Sequence, residues 1–206
     1  MIGILLHTED YKANTQRGIW LCDEGLHTTF QRLSSKEPTP TPPLFGTSEL
    51  SFKTQKTQGE ASFIDEWHAI NPRTGLSRPY KRFSAAGYLA IFLRENAGIL
   101  PDPEPMYVLS TKAYDALERA DEPLIVIFKI LYKTALMEGF PIKEDWLYRQ
   151  NPEFIQLAAS VLKNPINTPA IQATSSSLII PLIKKLQLWL SHHTEFRLPQ
   201  TSLVGA

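Results

Sequence analysis

The chain has 206 residues, of which 43% are hydrophobic, so it can form one sizeable core or two small domains and is not disordered throughout. It carries 21 basic and 21 acidic side chains. A neutral protein has no global attraction to nucleic acid or membranes, so any such partner must be bound by a local patch.

The single cysteine, Cys22, excludes an internal disulfide, and one thiol does not make a metal site. The N-terminus lacks a basic region followed by a long apolar stretch, which predicts no signal peptide. The sequence contains no run of about 18 apolar residues, so it predicts no membrane span. Together these features favour a protein of the reducing cytoplasm without a membrane partner.

The first 70 residues have the pattern of short strands. Apolar runs occupy residues 2–6 and 18–22, and a turn ending at Gly25 leads into residues 26–33, which alternate with a period of two. Residues 34–43 contain four prolines and predict an extended loop. Residues 44–55 and 61–70 then complete five strands, the number in a small barrel.

Residues 71–79 (NPRTGLSRP) form a break, after which the pattern becomes helical. We place the domain boundary there and predict a barrel domain over 1–78 and a helical domain over 79–206. Prolines at 101, 103 and 105 predict a loop, followed by a short helix with Ser110 as its N-cap. The sequence predicts an α+β protein, with helices over 82–95, 110–120, 121–138, 151–164 and 177–191.

The motifs of several enzyme classes are absent from the sequence. It contains no G-x-S-x-G, H-E-x-x-H, G-x-x-x-x-G-K-[ST] or G-x-G-x-x-G. Asp65 and Glu66 are neighbours on a predicted strand and would face opposite ways, so they would not form a catalytic pair. Cys22 lies in an apolar strand, which favours a small buried side chain over a nucleophile. We therefore expect no catalytic residues, no metal and no cofactor, and a protein that is not an enzyme.

The positive charge of the chain is clustered. Residues 71–82 contain four basic side chains and no acidic one, and residues 50–58 contain Lys53 and Lys56 and no acidic one. A phosphate-binding patch needs several converging cations. From charge alone, a nucleic-acid site and an ordinary solvated linker are equally compatible with this pattern.

The order of these elements resembles that of RecO, a family of bacterial recombination mediators. The resemblance includes the "E-x-G" type of hairpin in the stretch 18–26 and the step Gly139-Phe140-Pro141. The similar segments are residues 2–11, 18–26, 43–45, 83–93, 106–107, 125–140 and 186–197. Many members carry a four-cysteine metal site in the helical part, which this chain cannot form.

The resemblance implies an OB-fold barrel followed by a helical domain, and a non-catalytic role in DNA repair and recombination. It implies binding of single- and double-stranded DNA, annealing of complementary strands, and partnership with RecR and single-stranded-DNA-binding protein to help load RecA. It implies a cytoplasmic, nucleoid-associated protein. An OB barrel binds strands in a basic groove with aromatic side chains. The candidate DNA-binding residues are Arg17, Arg32, Lys53, Lys56, Arg73, Arg78, Lys81 and Arg82.

A second function stays open. The same architecture could serve as a protein-interaction adaptor with weak or no DNA binding, because the chain is neutral and the proline-rich loop offers only Lys36, offset by Glu37.

Overall fold

A computed structural model describes residues 1–53, 62–166, 168–172 and 174–200. In these ranges an antiparallel sheet comes first and helices follow it. This order confirms the predicted α+β class. By spatial contact the chain divides into two compact units, Met1–Thr74 with Ala90–Thr111, and Gly75–Leu89 with Lys112–Ala206. The predicted domain boundary between residues 78 and 79 stays a prediction.

The sheet of the first unit has five strands in the order β3-β2-β1-β4-β5. Its edge strands β3 and β5 are linked at an isolated parallel bridge between Phe30 and Phe63. Among the described residues the sheet is otherwise open and does not close into a barrel. The strands span Ile2–Lys12 (β1), Thr15–Cys22 (β2), Gly25–Arg32 (β3), Thr47–Phe52 (β4) and Ile64–Asn71 (β5).

All five predicted strands are present. The first is longer than its apolar run, because the polar residues that follow continue to pair with β2 as far as Lys12. The fourth strand falls within the predicted segment 44–55, and the fifth extends one residue beyond the predicted segment 61–70. Residues 54, 55 and 61 of these segments lie outside the described part. Residues 34–43 form the predicted irregular loop.

Trp20 is the largest buried side chain of the sheet. It packs with Leu5, Leu50 and Ile64 in one apolar cluster. Its indole Nε1 donates a hydrogen bond of 2.9 Å to Thr29 Oγ1, so the polar end of the ring is satisfied inside the core. This places Thr29 on the inner face of β3 and leaves Thr28 exposed.

Side chains cap the N-termini of two of the helices. Glu122 accepts a hydrogen bond from Leu124 N at one N-terminus, and Asn151 caps another through Phe154 N. The helices span Tyr80–Asn96 (α1), Pro103–Arg119 (α2), Pro123–Met137 (α3), Ile142–Asp145 (α4), Pro152–Lys163 (α5), Pro169–Gln172 (α6) and Ser176–His193 (α7), with 3-10 turns at Thr74–Leu76, Ala97–Ile99 and Leu147–Arg149.

The prediction for the start of α2 was wrong. The helix begins at Pro103, within the segment expected to be a loop, and Ser110 lies buried in its middle rather than at its N-cap. Pro103 and Pro105 lie in the first turn, where backbone N–H groups have no partner within the helix, so proline loses nothing there.

The second unit has its core along α3 and α7. The spacing i, i+3, i+4, i+7, i+11 predicts one apolar stripe on the last helix, and the structure confirms it. Its five members are at most 2% exposed: Ile179, Leu182, Ile183, Leu186 and Leu190. Gln187 of α7 donates a 2.7 Å hydrogen bond to the hydroxyl of Tyr88. Among the described residues, no helix combines the length and the apolar character that a membrane crossing requires.

Candidate nucleic-acid interface

Three aromatic rings follow one another at one end of the sheet. The rings of Tyr11 and Phe30 have centroids 5.0 Å apart, and those of Phe30 and Phe63 are 5.7 Å apart. We call Tyr11, Phe30 and Phe63 the aromatic row. The bridge between β3 and β5 supports it, because Phe30 N donates a 2.9 Å hydrogen bond to Ser62 O.

A cation lies over the ring at each end of the aromatic row. The Nζ of Lys12 is 5.2 Å from the Tyr11 centroid, and the Cζ of Arg32 is 5.4 Å from the Phe63 centroid. Strand register explains this arrangement, since Thr15 of β2 pairs with Lys12 on one side and Arg32 on the other. Rings flanked by cations are the combination that binds stacked bases and neighbouring phosphates.

An open groove of about 540 Å³ adjoins Arg32. Its two cations, Arg32 and Lys53, are accompanied by two carboxylates, Asp65 and Glu66, so the formal charges of its lining cancel. Trp67 adds a half-buried ring. The full lining is Gln31, Arg32, Thr39, Pro40, Lys53, Ile64, Asp65, Glu66 and Trp67.

Of the eight predicted DNA-binding residues, Arg32 and Lys53 are brought together in this groove. Arg17 pairs with Phe30 across strands β2 and β3, but its Nη2 lies 2.6 Å from Glu9 Oε1, so an acidic side chain already neutralises it. Lys56 lies outside the described residues.

Arg73 is a correction to the prediction. It is 2% exposed, and its Nη1 donates hydrogen bonds of 2.9 Å to both Phe45 O and Thr47 Oγ1. Arginine suits this position because its planar guanidinium presents several donors in a fixed geometry. A side chain held in this way cannot reach a nucleic-acid strand, so Arg73 is structural.

Arg78, Lys81 and Arg82 belong to the second unit. Arg82 donates a 2.9 Å hydrogen bond from Nε to Ala120 O, and its Nη2 lies 3.7 Å from Asp121 Oδ1. Lys81 donates to Asp121 O. These two cations satisfy carbonyl groups just after the end of α2, where positive charge is favourable. Arg78 is exposed.

Sequence reasoning did not identify the aromatic row or Lys12 as a site. Phe30 and Phe63 lie in the predicted strand segments 26–33 and 61–70, and Tyr11 ends the segment 2–11 that resembles RecO. One signal was present, because Phe30 and Arg32 are two residues apart on one strand and therefore share a face. Their proximity to Phe63 depends on how the edge strands meet.

No family model matches this chain, and a comparison with curated proteins finds no match either. The aromatic row and the adjoining groove are therefore the features on which a function can be based.

Proposed function

We propose that this protein binds single-stranded DNA on its N-terminal unit and acts without catalysis. The observation that carries the proposal is the aromatic row Tyr11, Phe30 and Phe63 with Lys12 and Arg32 at its ends. Bases without a partner strand expose ring faces, and each base stacked on an aromatic side chain contributes about 1–3 kcal/mol. Lys12 and Arg32 would attract the phosphates on either side.

We propose further that the sheet is an OB-type barrel. The strand order β3-β2-β1-β4-β5 supports this assignment, as does the parallel bridge between the edge strands at Phe30 and Phe63. An OB-fold is a partly open five-stranded barrel that binds oligonucleotides on one face. The aromatic row lies where the two edge strands meet.

The biological role that we propose is that of a recombination mediator. A protein that holds DNA bases without reading their sequence can bring complementary strands together for annealing, which is the role implied by the resemblance to RecO. The same proposal includes RecR and single-stranded-DNA-binding protein as partners, RecA as the recombinase that is loaded indirectly, and a cytoplasmic location.

A second candidate is an adaptor on the same fold. It is favoured by the charges, since Asp65 and Glu66 balance Arg32 and Lys53 in the groove. Four of the predicted cations that lie in the described part of the chain are also engaged within the protein, namely Arg17, Arg73, Lys81 and Arg82. An adaptor would use this face for another protein and would show no salt-sensitive affinity for DNA.

The two candidates are separated by fluorescence anisotropy with a single-stranded oligonucleotide at two salt concentrations. The decisive variant is Tyr11→Ala, which removes a ring that is 47% exposed. We expect DNA binding to weaken at least about fivefold, the lower end of the range for a stacked base.

The matched control is Tyr148→Ala in the second unit. Tyr148 is 55% exposed and also lies under a lysine, with Lys143 Nζ 5.6 Å from its ring centroid. This variant should bind DNA as the wild type does. Equal losses in both variants would remove the aromatic row from the site, and a wild type without salt-sensitive binding would favour the adaptor.

A further inference from the structure

The turn between β2 and β3 brings three different metal-ligating side chains together. Cys22 ends β2, Glu24 lies in the turn and His27 lies on β3. One donor atom from each, the Cys22 sulfur, a Glu24 carboxylate oxygen and a His27 ring nitrogen, lies within 4.8 Å of the other two. The two-residue turn causes this convergence, because Cys22 pairs directly with Gly25 across the hairpin.

The tight turn holds the buried Cys22 sulfur beside the side chains of Glu24 and His27, which are 79% and 41% exposed. Gly25 makes this geometry possible, since it has a φ of 111° that other residues rarely adopt.

We propose that Cys22, Glu24 and His27 form a Zn²⁺ site at the tip of the β2–β3 hairpin. A donor set of one sulfur, one nitrogen and one oxygen fits Zn²⁺, whereas Mg²⁺ and Ca²⁺ require oxygen ligands. Around a tetrahedral Zn²⁺ these atoms would be roughly 3.3–3.6 Å apart, from the usual bond lengths. The ion replaces the thiol proton, which passes to solvent.

The side chains of Glu24 and His27 can make the small movement that brings the three donor atoms to Zn²⁺ bonding distance. Glu24 Oε2 is already 3.7 Å from His27 Nε2, and the two side chains are 79% and 41% exposed, so they can reorient without disturbing the core. Cys22 supplies the fixed point, since it is fully buried. Three protein ligands leave a fourth position for water, and the ion would join β2 to β3 across their turn.

The experiment uses the full chain after treatment with a chelator, titrated with Co²⁺ and then with Zn²⁺. We expect one Co²⁺ per chain, with a near-ultraviolet absorption band from thiolate-to-cobalt charge transfer. That band can come only from Cys22, which is the one cysteine in the sequence. Zn²⁺ should remove the band, and at a hundredfold excess over its Kd it should raise the Tm by roughly 5 °C or more.

Three variants test the assignment. Cys22→Ser should lose the band, and His27→Ala and Glu24→Gln should each weaken Co²⁺ binding at least about tenfold. Removing a residue that only hydrogen-bonds to a metal ligand already lowers metal affinity by about that factor. The matched control is His7→Ala, because His7 and Glu9 also lie together, with Nε2 and Oε2 3.6 Å apart, but have no thiol in their set.

The proposal fails if wild-type protein shows no charge-transfer band, or if His27→Ala binds Co²⁺ as tightly as His7→Ala does. Cys22 is buried, so its serine variant could unfold. In that case the exposed positions 24 and 27 decide the matter, because substitutions there leave the core intact.

Discussion

At the scale of single residues, Arg73 illustrates how a cation can serve the fold instead of a ligand. Its guanidinium holds the carbonyl of Phe45 and the hydroxyl of Thr47, close to the start of β4. Buried acceptors of this kind need a donor, and a hydrogen bond to a charged group contributes more than one between neutral groups. Arg73 therefore stabilises the segment that leads into β4.

We predict that Arg73→Ala lowers the free energy of unfolding by about 2–3 kcal/mol, because two buried acceptors lose a charged donor. Urea unfolding measures the change. Arg78→Ala is the matched control, since Arg78 is exposed and should change stability by less than about 0.5 kcal/mol. A folded Arg73→Ala protein should keep its DNA affinity; weakened binding at unchanged stability would return Arg73 to the interface.

At the scale of elements, α2 shows why proline does not always mark a loop. Its first turn contains Pro103 and Pro105, and Asp102 Oδ1 accepts a hydrogen bond from Glu104 N beside them. Ser110 therefore lies two turns inside the helix, and its Oγ has no hydrogen-bond partner among the described residues. The N-cap of α5 contrasts with it, because Asn151 Oδ1 accepts a 2.9 Å hydrogen bond from Phe154 N.

Substitution by alanine should change the stability of the protein differently at Ser110 and at Asn151. Ser110→Ala removes a buried hydroxyl and adds the best helix former, so we expect stability to stay the same or rise by up to about 1 kcal/mol. Asn151→Ala removes a cap and should cost about 1 kcal/mol. Chemical denaturation of both variants provides the comparison, and equal losses would indicate that Ser110 has a capping role after all.

At the scale of the whole molecule, the chain is neutral, and in the described part of the first unit three exposed cations lie near the candidate interface. Lys12, Arg32 and Lys53 of the first unit are exposed and lie on or beside the aromatic row and the groove. Arg78, Lys81 and Arg82 belong to the second unit. The proposed DNA binding by the first unit should therefore depend more on stacking than on phosphate contacts.

The salt dependence of binding tests this balance. Three phosphate contacts predict a slope of log K against log salt of about −2 for a single strand. Arg32→Gln should reduce the slope to about −1.4, whereas Lys112→Gln, an exposed cation of the second unit, should leave it unchanged. Titrations at several salt concentrations give both slopes. A wild-type slope several times steeper would mean that phosphate contacts dominate.

The sequence by itself determined the features that depend on neighbouring residues. Strand periodicity predicted the five strands, the predicted helix over 151–164 matches α5, and the spacing of Ile179 to Leu190 predicted the buried face of α7. These patterns follow from backbone sterics and from the repeats of helix and strand, which act within a few residues.

Only the tertiary structure decided which distant residues meet. The aromatic row joins residues 11, 30 and 63, and this depends on the register of β1, β2 and β3 and on the bridge to Phe63. Whether a cation is free to bind a ligand likewise depends on acceptors elsewhere in the chain, as Arg73 shows. Contacts of this kind follow from long-range pairing and packing, which no local pattern specifies.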